Sequence, residues 1–435
     1  MLSLPANPVY RRLFAAQIIS LLGSGLATVA LGLLAWRLAG DDAGTVLGVL
    51  LAIKMIAYVT VAPVASAFVD RVPRRSLMIS LDIFRAAVAL ALPFVSAVWQ
   101  IYALIFLLQA ASAVFTPTFQ ATIPDVLPDE EEYTQALSLS RLAYDVESLA
   151  SPLFAAALMS VVSFPFLFTG TVIGFLVSAV LVLSVTLPVP SPTVARTVWE
   201  RTTRGMRLYL ATPRLRGLLA LSLSVSAAGA MVIVNTVVIV RGHLSLGESE
   251  VALVLAAFGG GSMFAALFLP KLLKRIGDRP AMLSGASILV AGMLMGPVIN
   301  TLPVLIILWS LIGLGYSLTQ TPAGRLLKRS ADAPDRPALF AAQFALSHAC
   351  WLITYPLAGY AGALLGLNIT FLVMAVLSGL GVLMAIQLWP SEASELGVSA
   401  HDHFDLQRDH SHIPEFGDKE HARELTVDEL HRHQR

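Results

Sequence analysis

Four ionisable side chains lie inside long apolar runs of the sequence, where a charge is costly and usually functional. Lys54 falls about ten residues into the second run, and Asp145 and Glu147 fall about ten and twelve residues into the fifth. His348 falls about eleven residues into the eleventh run. At about 1.5 Å of rise per residue, all four reach the middle of a bilayer whose apolar core is about 30 Å thick. They are candidates for a substrate or proton site.

The two carboxylates suit proton exchange, because a carboxyl group in an apolar site alternates readily between protonated and ionised forms. Asp145 and Glu147 are about 200° apart around a helix, so they do not face one point. One is expected to form the site, and the other to pair with Lys54 or with Arg141, four residues before Asp145. His348 suits either metal ligation or a proton relay. The simpler interpretation is a structural ion pair between Lys54 and one carboxylate.

Three uncharged polar residues lie in the first, seventh and tenth runs: Gln17, Asn235 and Gln320. Each is predicted either to contact substrate or to form a hydrogen bond between helices. Such bonds are worth about 0.6 kcal/mol on average within a membrane, so the sequence leaves the two roles open.

Twelve apolar runs must position these residues, each long enough for a bilayer-spanning helix of about 20 residues. Hydrophobic residues make up 56% of the 435-residue chain and charged residues only 13%, which argues against a soluble enzyme. The net charge of +1 argues against nucleic-acid binding, and the single cysteine excludes a disulfide framework. By residue number the runs are 12–37, 44–69, 76–96, 99–122, 135–160, 163–187, 217–241, 250–273, 280–299, 302–324, 337–364 and 367–389.

The longest polar interruption before the tail separates two groups of six runs. Motifs recur between the groups at an offset of about 204 residues, which indicates a duplicated bundle around a central pathway. Basic loop residues gather on one side, with only Arg37 and Arg241 on the other, so both termini are expected to be cytoplasmic. The predicted division is an N-terminal bundle (1–187), a cytoplasmic linker with a short amphipathic helix (188–216), a C-terminal bundle (217–390) and a disordered tail (391–435).

The tail carries the clearest pattern for metal chemistry. It holds seven of the nine histidines, together with 11 acidic and 5 basic residues. Imidazoles and carboxylates suit Ni²⁺, Co²⁺, Zn²⁺ and Cu²⁺, although an extended chain would bind them weakly and without selectivity. The alternative is a solvated acidic tail that is rich in histidine. The candidate metal ligands form three His-x-His pairs: His401 and His403, His410 and His412, and His431 and His433.

The loop after the second run resembles the signature of the major facilitator superfamily. That signature reads Gly-x-x-x-Asp-Arg-x-Gly-Arg-Arg, and this chain keeps its charges while Ser66 and Pro73 replace the two glycines. The resemblance covers roughly residues 8–390. Three stretches resemble the branch of the enterobactin and macrolide efflux carriers. The tail resembles, with fewer histidines, the histidine-rich C-terminal tails of a nickel-resistance subgroup of that branch. These stretches contain Gln17 to Gly25, Asp82-Ile83-Phe84-Arg85 and Pro117 to Asp125.

The resemblance implies an all-α membrane fold of twelve transmembrane helices in two pseudo-symmetric six-helix bundles, which rock around a central cavity. It places the helices of Lys54, Asp145, Glu147 and His348 beside that cavity. Charges of the signature loop and the third helix are then interpreted as a gate near the cytoplasmic end, or more simply as anchors of the helix ends. These gating candidates are Asp70, Arg71, Arg74, Arg75, Asp82 and Arg85.

Together these features predict a secondary transporter of a bacterial inner membrane. ATP-driven transport is not expected, because the sequence has no phosphate-binding loop. An enzyme is not expected either, because no candidate catalytic triad lies outside the apolar runs. We expect proton-coupled export of a divalent transition metal, nickel or cobalt, because of the tail. A drug or siderophore-like organic substrate is the alternative, and a transporter-like metal sensor is the alternative of another class. The expected partners are the bilayer, the substrate and protons, with no cofactor, no nucleic acid and a monomeric state.

Overall fold

The computed structural model describes residues 5–39, 43–69, 72–159, 161–163, 165–188, 198–332, 334–389, 401–402 and 420–421. These residues form fourteen α-helices joined by short turns. In chain order the helices are α1 (Pro8–Ala39), α2 (Ala43–Val69), α3 (Arg74–Ala91), α4 (Val98–Val126), α5 (Glu130–Met159), α6 (Pro165–Leu183), α7 (Val198–Ala211), α8 (Pro213–Val237), α9 (Glu248–Ile276), α10 (Asp278–Met295), α11 (Leu302–Gln320), α12 (Ala323–Ser330), α13 (Arg336–Leu365) and α14 (Leu367–Leu388).

Every predicted apolar run lies on a helix of this set. Eleven of the described helical segments are long and apolar enough to cross a membrane. The helix of the fifth run, α5, is not among these eleven; it carries three glutamates in its first turn, followed by Arg141, Asp145 and Glu147. Its 30 residues still extend for about 45 Å, which exceeds the apolar thickness of a bilayer. The all-helical membrane fold predicted from the sequence is therefore confirmed.

The helices pack as two groups, which we call the first half (α1–α6) and the second half (α8–α14). Within the first half α6 packs against α1 and α3, and α4 packs against α2 and α3. Within the second half α8 packs against α13 and α14, and α11 packs against α9 and α10. The halves meet mainly where α2 lies against α13 and α5 lies against α9. Polar side chains on those four helices are therefore placed at the interface between the halves.

The helix α7 lies in the connection between the halves and packs against α13 and α2. Its Arg204 forms a two-point ion pair with Asp335, at 2.6 and 2.7 Å. The Tyr209 hydroxyl donates a hydrogen bond to Gln343, and burial raises the pKa of that phenol well above its ordinary value. A Cβ on Gly205 would lie 2.1 Å from the carbonyl oxygen of Ala338, so α7 sits in backbone contact with α13. The predicted amphipathic linker helix is thus a packed part of the structure.

Candidate functional site

The four ionisable residues singled out from the sequence all lie near the middle of helices of 27 to 30 residues. Lys54 is on α2, Asp145 and Glu147 are on α5, and His348 is on α13. All three helices contribute to the interface between the halves. The structure therefore places all four near the middle of helices that form the interface between the halves.

Asp145 and Glu147 point to different surroundings, as their spacing predicts. Asp145 is buried and forms an ion pair with Arg141, whose Nε lies 3.1 Å from Oδ2. Glu147 is half-buried and accepts a hydrogen bond of 3.1 Å from Ser151. Glu147, and not Asp145, is the carboxylate coupled electrostatically to Lys54. The two acidic residues thus belong to separate clusters, one with Arg141 and one with Lys54.

Helix α1 is shaped to accept the Glu147 carboxylate. A Cβ on Gly25 of α1 would lie 2.3 Å from Oε1 of Glu147 and 2.0 Å from Oγ of Ser151. Real Cβ atoms do not approach other atoms so closely, so only glycine leaves room for both groups. Gly25 therefore forms a notch that fixes where Glu147 sits between α1 and α5.

Aromatic side chains join Lys54 to His348 across the interface. The Lys54 ammonium lies 5.7 Å from the centre of the Tyr58 ring, within the range of a cation–π contact. The Tyr58 ring meets the His348 ring edge-on at 4.7 Å, and Phe344 packs on both. The Tyr58 hydroxyl donates to Oε1 of Gln109 at 2.9 Å. We call Lys54, Tyr58, Glu147 and His348 the midplane site.

His348 has one ring nitrogen already engaged. Its Nδ1 lies 2.6 Å from the carbonyl oxygen of Phe344 on the preceding turn, which fixes the ring orientation. The described residues contain no group of three or more histidine, cysteine, aspartate or glutamate side chains arranged to hold a metal ion. Metal coordination by the midplane site would thus depend on one imidazole and one carboxylate beside a lysine.

The three uncharged candidates have different surroundings. Gln17 accepts a hydrogen bond of 3.1 Å from Ser140 of α5 and also bonds Tyr144, so it lies beside the midplane site. Asn235 is buried inside the second half, where its amide donates to the carbonyl oxygen of Ala358 at 3.2 Å. That contact favours the helix-to-helix role for Asn235. Gln320 is half-buried at the last residue of α11, just before α12.

One end of the bundle carries a network of ion pairs between the halves, and we call it the basic end. Two acidic residues of the first half, Asp125 and Glu130, face arginines of the second half. Nη1 of Arg336 lies 2.5 Å from Oδ1 of Asp125, and Nη2 of Arg325 lies 2.6 Å from Oε1 of Glu130. Arg329 also pairs with Glu130. These bonds hold the halves together at the basic end.

Each half has an equivalent ion pair at the basic end, with the positions of the acidic and the basic residue exchanged. In the first half Arg74 at the start of α3 pairs with Asp125 at the end of α4, at 2.5 Å. In the second half Asp278 at the start of α10 pairs with Arg329 of α12, at 2.9 Å. The two pairs are related by the offset of 204 residues found in the sequence. The ion pairs across the interface, in contrast, join acids of the first half to bases of the second.

Burial along the interface is uneven. Near the basic end every residue of α13 from Leu339 to Ala345 is buried, whereas further along the helix buried residues such as Thr354 and Ala358 alternate with exposed ones such as Ile353 and Tyr360. Tyr58 contacts Phe344 in the buried stretch, so the halves touch from the basic end as far as the midplane. Together with the ion pairs between the halves, this contact closes the bundle at its basic end.

The gating candidates do not form one cluster. Asp70 and Arg71 lie outside the described residues. Arg75 donates to the carbonyl oxygen of Leu183, at the end of α6. Its counterpart 204 residues later, Arg279, donates to the carbonyl oxygen of Trp389 at 3.0 Å. Arg75 is therefore placed to anchor a helix end, while Arg74 belongs to the ion-pair network.

Asp82 and Arg85 are deeper than the sequence indicated, and the expectation of a position near the cytoplasmic helix end is wrong. They lie in the middle of α3, buried and paired with each other. Ser178 of α6 donates to Asp82 at 2.8 Å, and the Arg85 guanidinium lies 4.1 Å from the Phe115 ring centre and 4.5 Å from that of Phe175. These contacts are all inside the first half, because α3 packs there between α4 and α6.

The candidate metal ligands of the tail lie mostly beyond what the structure describes. His403, His410, His412, His431 and His433 fall outside the described residues. His401 is described only in its backbone, where His401–Asp402 forms a two-residue antiparallel bridge with Glu420–His421. Metal binding by the tail stays a prediction.

Sequence reasoning missed several polar residues that complete these clusters. Tyr58 completes the midplane site, with Gln109 and Tyr144 beside it. Ser262 and Tyr316 meet Arg141 and Asp145 from the second half. Single serines and tyrosines are common in apolar helices, so their residue type gives no signal. The spacing of Lys54 and Tyr58, which share one face of α2, was the available indication.

Comparison with known proteins agrees with this architecture. The chain is 23% identical to the uncharacterised MFS-type transporter YvqJ of Bacillus subtilis over 408 residues, which cover 89% of this chain and 94% of that protein. It is 26% identical to macrolide efflux protein A of Streptococcus pyogenes over 181 residues, 40% of this chain. That alignment covers 44% of the macrolide protein, so this chain spans less than half the length of that relative.

Solved structures share the fold at low sequence identity. The human organic anion transporter MFSD10 superposes with a TM-score of 0.76 at 13% identity, over 88% of this chain and all of that one. A bacterial homologue of the iron transporter ferroportin in its outward-facing state gives 0.71 at 13% identity, over 88% and 99%. The model of the Major Facilitator Superfamily matches residues 13–234 and again residues 218–404, once for each half. The chain therefore belongs to the major facilitator superfamily and is a membrane transporter of that fold.

Proposed function

We propose that this transporter exports an amphipathic organic molecule from a bacterial cell in exchange for protons. The observation that carries the proposal is the composition of the midplane site. Aromatic faces from Tyr58 and Phe344 lie beside one cation, Lys54, and one carboxylate, Glu147. Sites for organic ligands have this character, with apolar and aromatic walls and a few polar groups that fix orientation.

The same site supports a metal substrate less well. The Lys54 ammonium repels a cation, and the midplane residues provide too few ligands for the four to six that divalent transition metals take. Nickel or cobalt, the substrate expected from the tail, therefore becomes the second candidate. Its remaining support is the histidine content of residues 391–435. The similarity to macrolide efflux proteins favours the organic substrate.

The orientation in the membrane follows from the distribution of basic residues. Lys and Arg collect on the cytoplasmic side of membrane proteins, so the basic end and both termini are assigned to the cytoplasm of an inner membrane. In this assignment the closed basic end corresponds to a state that opens outward. The halves, residues 1–187 and 217–390, would act as the moving units of a monomer, with 188–216 as the linker and 391–435 as the tail.

Glu147 is proposed to couple protons to transport. It is half-buried at the midplane, and its hydrogen bond from Ser151 and its place beside Gly25 hold it in reach of the site. Proton binding in the outward-open state would neutralise it and release a substrate group. Return of the proton to the cytoplasm would regenerate the carboxylate for the next substrate.

The proposal is tested in a bacterium that lacks its own efflux pumps. Accumulation of radiolabelled erythromycin, and cellular nickel and cobalt, are measured with the full chain, with residues 391–435 deleted and with Glu147→Gln. The matched control is Glu131→Gln, on the same helix but at an exposed position. We expect less erythromycin with the full chain and the truncated chain, and no reduction with Glu147→Gln.

Two results would overturn the organic-substrate proposal. A fall in nickel or cobalt that requires the tail, with unchanged erythromycin, would establish the metal exporter instead. A metal sensor would be favoured if the levels of erythromycin and metal stay unchanged at normal expression while the tail changes in response to metal.

A further inference from the structure

A second polar cluster lies on the interface between the halves, formed by Arg141, Asp145, Ser262 and Tyr316. Oγ of Ser262 donates to Oδ2 of Asp145 at 2.6 Å and accepts from Nε of Arg141 at 3.0 Å. The Arg141 guanidinium lies 4.7 Å from the centre of the Tyr316 ring and hydrogen-bonds with that side chain. Arg141 and Asp145 belong to α5 in the first half, whereas Ser262 is on α9 and Tyr316 is on α11 in the second. The cluster is therefore a polar junction between the halves.

Ser262 is held rigidly in the second half. A Cβ on its neighbour Gly261 would lie 1.9 Å from the carbonyl oxygen of Ser310, and one on Gly313 would lie 1.9 Å from that of Phe258. These glycines let α9 and α11 pack backbone to backbone on both sides of the junction. Ser262 is itself fully buried, and its hydroxyl is used both as a donor and as an acceptor. The hydrogen bonds of Ser262 to α5 therefore depend on how closely the second half approaches that helix.

The polar junction can separate without leaving an unpaired charge in the membrane. Arg141 and Asp145 are i and i+4 on one helix, so they remain paired when α5 moves away from α9. Only the hydrogen bonds to Ser262 and Tyr316 are lost in that movement. An ion pair that depended on both halves would leave unpaired charges in the membrane on separation, which is expensive.

We propose that Ser262 and Tyr316 are positioning residues of the transport cycle, which hold the Arg141–Asp145 pair while the basic end is closed. Their release accompanies the swing of the halves, and Glu147 is left as the carboxylate that meets substrate and protons. The role of Glu147 rests on the proposed function. The junction itself does not, because it concerns the balance between two conformations.

The test measures that balance directly, without substrate. Spin labels are attached to cysteines at Val161 and Leu364, which lie in different halves at the end opposite the basic end, in a Cys350→Ser background. Electron–electron distances in lipid nanodiscs then give the populations of the two states. Variants are Ser262→Ala, Ser262→Thr and Tyr316→Phe. Ser310→Ala is the control, because among the described residues the Ser310 hydroxyl donates to the carbonyl oxygen of Ile306 in its own helix and to no other group.

A hydrogen bond to a charged group shifts an equilibrium by roughly tenfold or more. Ser262→Ala is therefore expected to raise the fraction with a short Val161–Leu364 distance by about that factor. Tyr316→Phe should shift it in the same direction, while Ser262→Thr and Ser310→Ala should match the parent. Equal distributions for Ser262→Ala and the parent would overturn the junction, as would equal shifts for the alanine and threonine variants. Absence of erythromycin transport in the parent would refute the proposed substrate and leave this comparison valid.

Discussion

Substitution of Asp125 by asparagine should weaken closure of the basic end. Asp125 accepts from Arg74 in its own half and from Arg336 across the interface, both at 2.5 Å. The Asp125 side chain is only 13% exposed. The comparison residue is Glu131, which also pairs across the interface, with Lys274 at 2.6 Å, but both partners are more than half exposed (54% and 58%).

The two ion pairs should differ strongly in their contribution to the closed state. An exposed pair contributes about 0.2–1 kcal/mol, because water and salt screen it. Removing one partner of a buried pair costs about 3–5 kcal/mol. Asp125 lies between these limits, so we expect about 2 kcal/mol, or roughly a thirtyfold change in the ratio of the two conformations. Glu131→Gln should change that ratio by about twofold at most.

The assay uses the same spin-label pair at Val161 and Leu364. Asp125→Asn should increase the population with a short distance, because the halves separate at the basic end and close at the other. Higher salt should screen the exposed Glu131–Lys274 pair, and should therefore shift the populations by about twofold at most in both the parent and Asp125→Asn. If the two variants shift the populations equally, or if Asp125→Asn leaves them unchanged, the ion pairs of the basic end do not set the balance.

Three further substitutions test separate parts of the structure. Gly25→Ala should abolish erythromycin efflux while the protein still folds, because the new Cβ would meet Glu147 and Ser151 at 2.3 Å and 2.0 Å; normal efflux would refute the notch. Asp82→Asn should lower the stability in detergent by about 3–5 kcal/mol, because it leaves Arg85 unpaired between Phe115 and Phe175. A variant of normal melting temperature with altered transport would instead restore a gating role for Asp82. Tyr209→Phe should destabilise the contact between α7 and α13 by about 1 kcal/mol, because it removes the hydrogen bond to Gln343. The measurement is the rate of proteolysis of the linker, which should rise. An unchanged cleavage rate would show that this hydrogen bond contributes nothing.

The length and apolarity of the runs were sufficient to predict the helices, because a bilayer demands about 20 apolar residues in each span. The depth of Lys54, Glu147 and His348 was likewise predictable, since rise per residue is nearly constant along a helix. The separation of Asp145 from Glu147 followed from helical geometry alone. The i,i+4 pair of Arg141 and Asp145 forms as that geometry predicts.

Contacts between distant helices were not predictable in the same way. The burial of Asp82 and Arg85 depends on Ser178 of α6 and on two phenylalanines of other helices, none of which is close in sequence. Ser262 meets Asp145 across 117 residues, and its type alone carries no signal. The exchange of charge between Arg74–Asp125 and Asp278–Arg329 becomes visible only when the partners are known. A repeated pattern of residue types had indicated the duplication but not this exchange.

The most direct test of proton-coupled export uses purified protein in liposomes with an imposed pH gradient. The account predicts that the parent concentrates labelled erythromycin on the acidic side, and that Glu147→Gln, which cannot take up a proton, does not concentrate it. Concentration by Glu147→Gln equal to that of the parent would contradict the role of Glu147. If the distribution of erythromycin with the parent protein does not depend on the pH gradient, proton-coupled export itself is contradicted.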